Sequence, residues 1–239
     1  MIKEENPTKG FDFAHDTNWR IFRIMAEFVD GFTFLAQFSK TVTFFGSARF
    51  PDDNPYCIAA RKLAAKLAKD NYTVVTGGGP GIMSSANRGA YEAGGESVGL
   101  NIEIPHEQKV NPWVTKSEQF NYFYTRKVML AFSAEAYIYF PGGFGTLDEL
   151  FEILNLQKTE KIERYIPVIL YGQDYWVPLT EWMKRSLAYQ HNTVDVKDLK
   201  FMTVVDSVED AYQIIKTSKP RAIHPFHRPE KSDTHQTIK

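Results

Sequence analysis

Cysteine is nearly absent: Cys57 stands alone among 239 residues. That excludes internal disulfides and thiolate zinc clusters. Long apolar runs are missing too. The most apolar stretch, Trp19 to Phe38, is broken by Arg20, Arg23, Glu27 and Asp30, and no segment reaches the roughly 18 uninterrupted apolar residues of a membrane span. Nor is there an excess of one charge. Twenty-eight Lys and Arg against 29 Asp and Glu leave a net charge of −1, so the broad positive field of a non-specific nucleic-acid binder is lacking and any anion site must be local. The six histidines, His15, His106, His191, His224, His227 and His235, contain no i, i+4 pair; no metal site is expected. No charged-then-apolar leader opens the chain, which makes the cytoplasm the expected location.

What is present is an ordinary globular composition, 43% apolar with 15 glycines, enough to bury a sizeable core. From Thr41 to Ser218, short β-branched or aromatic runs alternate with segments of helical period. The expected strands are Thr41–Phe45, Thr73–Thr76, Ser97–Ile102, Ala136–Phe140, Pro167–Leu170 and Met202–Val205. The expected helices are Tyr56–Lys69, Ile82–Ala93, Phe123–Ser133, Leu147–Lys161, Val177–Tyr189 and Val208–Thr217. Such alternation predicts an α/β class: a doubly wound, mostly parallel sheet with helices on both faces. Residues 1–40 read as a helical extension, 41–218 as one domain and 219–239 as a tail. In the extension, Trp19, Phe22, Met25, Ala26, Val29 and Phe32 recur at helical spacing, predicting a broad apolar face that packs on the sheet or on another subunit.

Seven of the 15 glycines fall in two loops, Gly77-Gly78-Gly79-Pro80-Gly81 after the second expected strand and Pro141-Gly142-Gly143-Phe144-Gly145-Thr146 after the fourth. Both precede a helix at a strand's carboxyl end, where an open α/β sheet binds ligands. Glycine there lets backbone approach an anion, and the helix N-terminus offers free N–H groups. One such loop is explained by a tight turn; two on one sheet edge point to a phosphate. Neither G-x-x-x-x-G-K-[ST] nor G-x-G-x-x-G occurs, and the low net charge favours a mononucleotide over RNA or DNA. Thr146-x-x-Glu149 has two readings: a capping box, or a carboxylate aimed into the cleft. Arg126-Lys127, at the start of a helix feeding the next strand, is either a solvated basic pair or an anion-binding one.

Together, Pro141-Gly142-Gly143-Phe144-Gly145-Thr146-Leu147-Asp148-Glu149, Gly77-Gly78-Gly79-Pro80-Gly81-Ile82-Met83 and Arg126-Lys127 match PGGxGTxxE, GGGxxGxM and an RK pair. Over roughly Thr41 to Tyr189 the chain resembles the Lonely Guy family of nucleoside 5′-monophosphate phosphoribohydrolases, long labelled lysine decarboxylases. That older label implies an electron sink such as pyridoxal phosphate, and no motif here announces one. The resemblance implies a Rossmann-like fold and cleavage of the N-glycosidic bond of AMP or a cytokinin riboside monophosphate. It implies no cofactor, and a homodimer or larger homo-oligomer. Carried over, Arg126 and Glu149 form the catalytic pair. Gly142, Gly143, Gly145 and Thr146 hold the phosphate, with Lys127 beside them. Gly79 and Met83 border the nucleoside, and Ser47 and Glu107 are further lining residues. The rival expectation is a nucleotide or molybdenum-cofactor carrier of the same fold.

Overall fold

A computed structural model of the chain describes residues 17–103, 110–132 and 134–221. Seven strands form one sheet in the order β4-β3-β2-β1-β5-β6-β7, every neighbouring pair parallel. They are β1 (Thr41–Phe45), β2 (Thr73–Thr76), β3 (Ser97–Ile102), β4 (Lys116–Phe120), β5 (Ala134–Tyr139), β6 (Val168–Tyr171) and β7 (Met202–Val205). This is a Rossmann-like, doubly wound α/β fold. Strands β1, β2, β3, β5 and β6 are buried almost throughout, as parallel strands covered on both faces must be. The sequence pattern predicts six strands and misses β4. Its sequence, Lys-Ser-Glu-Gln-Phe, is mostly exposed on the sheet edge, where charge is tolerated and no apolar run is required.

The helices are α1 (Thr17–Leu35), α2 (Pro55–Lys69), α3 (Ile82–Glu92), α4 (Phe123–Phe132), α5 (Phe144–Lys158), α6 (Gln173–Trp182) and α7 (Val208–Thr217). Asn54 starts α2 by accepting the Tyr56 N–H at 2.9 Å, with Pro55 at the first helical position. Ser207 caps α7 in the same way, accepting from the Asp210 N–H at 3.0 Å. Helix α6 starts four residues ahead of the expected Val177 and runs on as a π-helical turn, Met183–Gln190.

Two apolar layers sandwich the sheet. Cys57, Leu63 and Leu67 of α2, Ile82 and Ala86 of α3 and Ile215 of α7 cover one face. Leu35, Met129 of α4, Leu150 and Ile153 of α5 and Trp176 of α6 cover the other. The Trp176 indole N–H, wholly buried, donates to the carbonyls of Tyr139 and Tyr171, both at 3.1 Å. The extension does pack on the domain, through Phe28, Phe32 and Leu35, but Trp19, Phe22, Met25 and Val29 remain exposed. No helix among the described residues is long and apolar enough to cross a membrane.

Candidate active site

The strand order reverses at β1, whose neighbours β2 and β5 lead to helices on opposite faces. The chain leaving these strands must diverge and open a crevice at their carboxyl ends. A cleft of about 1000 Å³ lies there, lined by the Pro141–Thr146 loop, by Gly77 of the first glycine loop and by Ser47, Met83, Arg126 and Glu149. Ser47 joins the loops: its N–H donates to Pro141 O at 2.9 Å, and its carbonyl accepts from Ile82 N at 3.0 Å. The second link requires Gly81, which has φ +67° and whose absent Cβ would lie 2.3 Å from Ser47 O.

Beyond the loop Pro141–Gly143, α5 begins at Phe144 with Gly143 as N-cap and no side-chain cap. Thr146 is therefore the third helical residue, and Glu149 projects from the second turn; the capping-box reading of Thr146 and Glu149 is wrong. Sequence alone favours it because the threonine-glutamate spacing is identical three residues further along. Leu147 N makes the first intrahelical bond, to Gly143 O at 3.1 Å, so the N–H groups of Phe144, Gly145 and Thr146 carry the open positive end of the helix. A Cβ at Gly143 or Gly145 would meet nothing within 4 Å, whereas one at Gly142 would strike Thr146 Oγ1 at 2.1 Å. The loop is thus closed on its protein side and open towards the cleft, a cradle fit for a small anion.

Arg126, half-buried on the first turn of α4, donates from Nε to Leu100 O at 2.7 Å and from Nη2 to Gly77 O at 3.5 Å. A side chain at Gly77 would collide with that guanidinium, its Cβ 2.1 Å from Nη2 and 2.9 Å from Met83 Sδ. Gly77 therefore leaves room for the arginine. The shape of the first glycine loop is set behind the cleft, where the Asn111 amide donates to the carbonyls of Gly78 and Gly79, both at 3.1 Å, and to Asn87 Oδ1 at 2.9 Å. Gly79 is buried in that network and does not line the cleft.

Glu149 is half-buried, and burial pushes its carboxyl up to about 7; the Arg126 charge opposes that rise and the Glu152 charge adds to it. Burial likewise holds the Arg126 guanidinium below its ordinary value, with Glu149 resisting. The two feel each other's charge across the cleft without being in ion-pair contact, so Arg126 keeps donor capacity for a guest. Lys127 does not share that capacity, because its ammonium pairs with Asp148 at 2.8 Å and Glu152 at 3.3 Å. Glu107 lies outside the described residues. Tyr175 is a residue that sequence reasoning misses; its hydroxyl donates to Gly142 O at 2.5 Å and fixes the Pro141–Thr146 loop from the β6 side. Only the adjacency of β5 and β6 brings it there, and no local motif announces it.

A second cavity, about 280 Å³ between α2 and α3, has a different character. Its arginines Arg61 and Arg88 are already paired with Glu92, and no glycine loop opens onto it.

The family model described as "Possible lysine decarboxylase" matches residues 83–215, more than half of the chain. The chain belongs to this, the Lonely Guy family. The family's curated members include the probable cytokinin riboside 5′-monophosphate phosphoribohydrolase LOGL5 of Oryza sativa subsp. japonica, 30% identical over 50% of this chain and 49% of that protein. Another, the cytokinin riboside 5′-monophosphate phosphoribohydrolase of Rhodococcoides fascians, is 27% identical over 62% of this chain and 75% of its own. The chain therefore spans about half the length of the rice relative. Among solved structures, the molybdenum cofactor carrier protein of Chlamydomonas reinhardtii shares the fold, with TM-score 0.57 and 21% identity over 74% of this chain and 96% of that one.

Proposed function

We propose that the chain is a hydrolase that cleaves the N-glycosidic bond of nucleoside 5′-monophosphates of the AMP type, releasing the free base and ribose 5-phosphate. One observation carries the reading: a carboxyl group raised to about 7, Glu149, shares a cleft with an open helix N-terminus and an arginine that pairs with no carboxylate among the described residues. The activity for which the curated relatives are named supports it.

In this reading the 5′-phosphate accepts hydrogen bonds from the N–H groups of Gly145 and Thr146, which lodges the ribose against the second turn of α5. Breaking the C1′–N bond sends its electron pair to the base and leaves positive charge on the sugar. The ionised Glu149 stabilises that charge and takes a proton from the water whose oxygen bonds to C1′. Arg126 donates hydrogen bonds to the phosphate or to the departing base. The base nitrogen receives, by way of solvent, the proton that Glu149 took from the water, so that the hydroxyl of that water ends on C1′ and its proton on the base. The chemistry consumes water only and calls for no cofactor.

Incubation with AMP followed by chromatography tests the reading. Adenine and ribose 5-phosphate in equal amounts are expected, and the nucleoside adenosine, lacking the anchoring phosphate, should be a far poorer substrate. Tight binding of AMP with no adenine released would overturn the hydrolase and point to a carrier. A panel of AMP, GMP, CMP and isopentenyladenine riboside monophosphate then fixes the preferred base.

A further inference from the structure

Helix α1 lies outside the segment that carries the motifs, yet it runs along the helix that bears Arg126. At its amino end the Arg20 guanidinium stands over the Tyr122 ring at 5.7 Å. At its carboxyl end Phe32 meets Phe132 edge to face at 4.7 Å. Between them Gly31 lets the α1 backbone seat against α4: a Cβ there would lie 2.9 Å from Met129 Sδ and 3.1 Å from Phe120. The polar centre of this contact is Glu27. Its Oε1 accepts from the backbone N–H and the side-chain amide of Asn121, both at 2.8 Å, and its Oε2 accepts from the Thr125 hydroxyl at 2.7 Å and the Tyr122 N–H at 3.3 Å. A carboxylate from another helix thus sits at the amino end of α4, where negative charge is favourable, one residue ahead of Arg126. The opposite end of α4 is held from the far side of the chain, where Arg221 donates to the Phe132 carbonyl and pairs with Glu163 at 3.0 Å.

We propose that Glu27 is a positioning residue for the reaction: by fixing the amino end of α4 it sets where the Arg126 guanidinium sits above Gly77. The proposal rests on the assignment of Arg126 to the reacting site. The residues that do the chemistry come from the motif-bearing segment, whereas their geometry is set partly from α1. Four donor groups surround this carboxylate, the Thr125 hydroxyl sharing its single proton between it and the Tyr122 carbonyl, also at 2.7 Å, so its removal loosens the first turn of α4.

The test compares the full-length chain with Glu27→Ala and Glu27→Gln, each alone and combined with Arg126→Lys, by steady-state AMP hydrolysis and by amide hydrogen exchange. Glu27→Ala is expected to lower kcat by about 10- to 100-fold, the effect of displacing a catalytic group by about an ångström, with a smaller change in KM. Glu27→Gln, which keeps the shape and one accepting oxygen, should lose less. In the Arg126→Lys background, Glu27→Ala should cost less than about twofold more, because the two act as a unit. Exchange at residues 121–128 should rise roughly fivefold or more, as expected for a lost cap, with α5 unchanged. An unaltered kcat in the single variants, or fully additive losses in the double variant, would reduce α1 to a structural prop and overturn the proposal. Should even wild type release no adenine, the fault lies with the hydrolase reading; exchange then decides alone, and protection at the amino end of α4 indifferent to Glu27 would refute the brace.

Discussion

Glu149 illustrates how a single residue links stability to chemistry. Its carboxyl is held at about 7 in the fold against an ordinary value of 4.5. Between those values the unfolded chain has already released a proton that the folded chain retains, so stability falls as pH rises from about 4.5 to about 7 and then levels off. Glu149→Gln removes that penalty. It should stabilise the chain by on the order of 2 kcal/mol at pH 8 and hardly at all near pH 4, as read by urea denaturation at the two pH values; equal stability of wild type and variant at pH 8 would contradict the buried-carboxyl account. The same titration predicts that kcat/KM for AMP climbs with pH through about 7, because the ionised form is the useful one. Arg126→Ala, which removes the charge favouring that form, should move the limb to higher pH and lower kcat. A pure rise in KM with the limb unmoved would make Arg126 a binding residue alone. Sequence made Glu149 and Arg126 visible because both sit in motifs. It did not show that Lys127 is neutralised, since Asp148 and Glu152 reach it only across the gap between α4 and α5.

At the scale of elements, the glycines of one loop separate shape from function. A methyl at Gly77 meets only the mobile ends of Arg126 and Met83, whereas at Gly81 it meets the Ser47 carbonyl with φ at +67°. Gly77→Ala should therefore fold normally and lose activity by displacing the guanidinium. Gly81→Ala should lose more than about 2 kcal/mol of stability, the combined effect of backbone strain and a clash with main chain. Thermal melts and AMP turnover on the two variants check the contrast, which would be reversed or erased if the loop simply cradled an anion. Element boundaries were legible where a side chain marks them, as at Asn54 before α2 and Ser207 before α7. They were misplaced where glycine does the work: α5 begins three residues ahead of the expected Leu147 because Gly143, with no side chain to signal it, is the cap. Strand β4 escaped notice because an exposed edge strand has no apolar pattern to betray it.

For the molecule as a whole, alternation of strand and helix foretold the parallel sheet, and the two glycine loops fall at its carboxyl edge, beside the cleft. The order β4-β3-β2-β1-β5-β6-β7 was not readable, since no local residue records which strand pairs with which. Yet that order brings the β2 loop, the β5 loop and the β6-side Tyr175 to one cleft. It also makes α4, entering from the edge strand β4, deliver Arg126 opposite Glu149. The most direct test of this arrangement is adenine release by Glu149→Gln set beside its affinity for AMP. The account predicts that AMP binding survives, since the phosphate cradle is untouched, and that turnover falls about 10²- to 10⁴-fold, the share of a general base. Turnover close to wild type would contradict it.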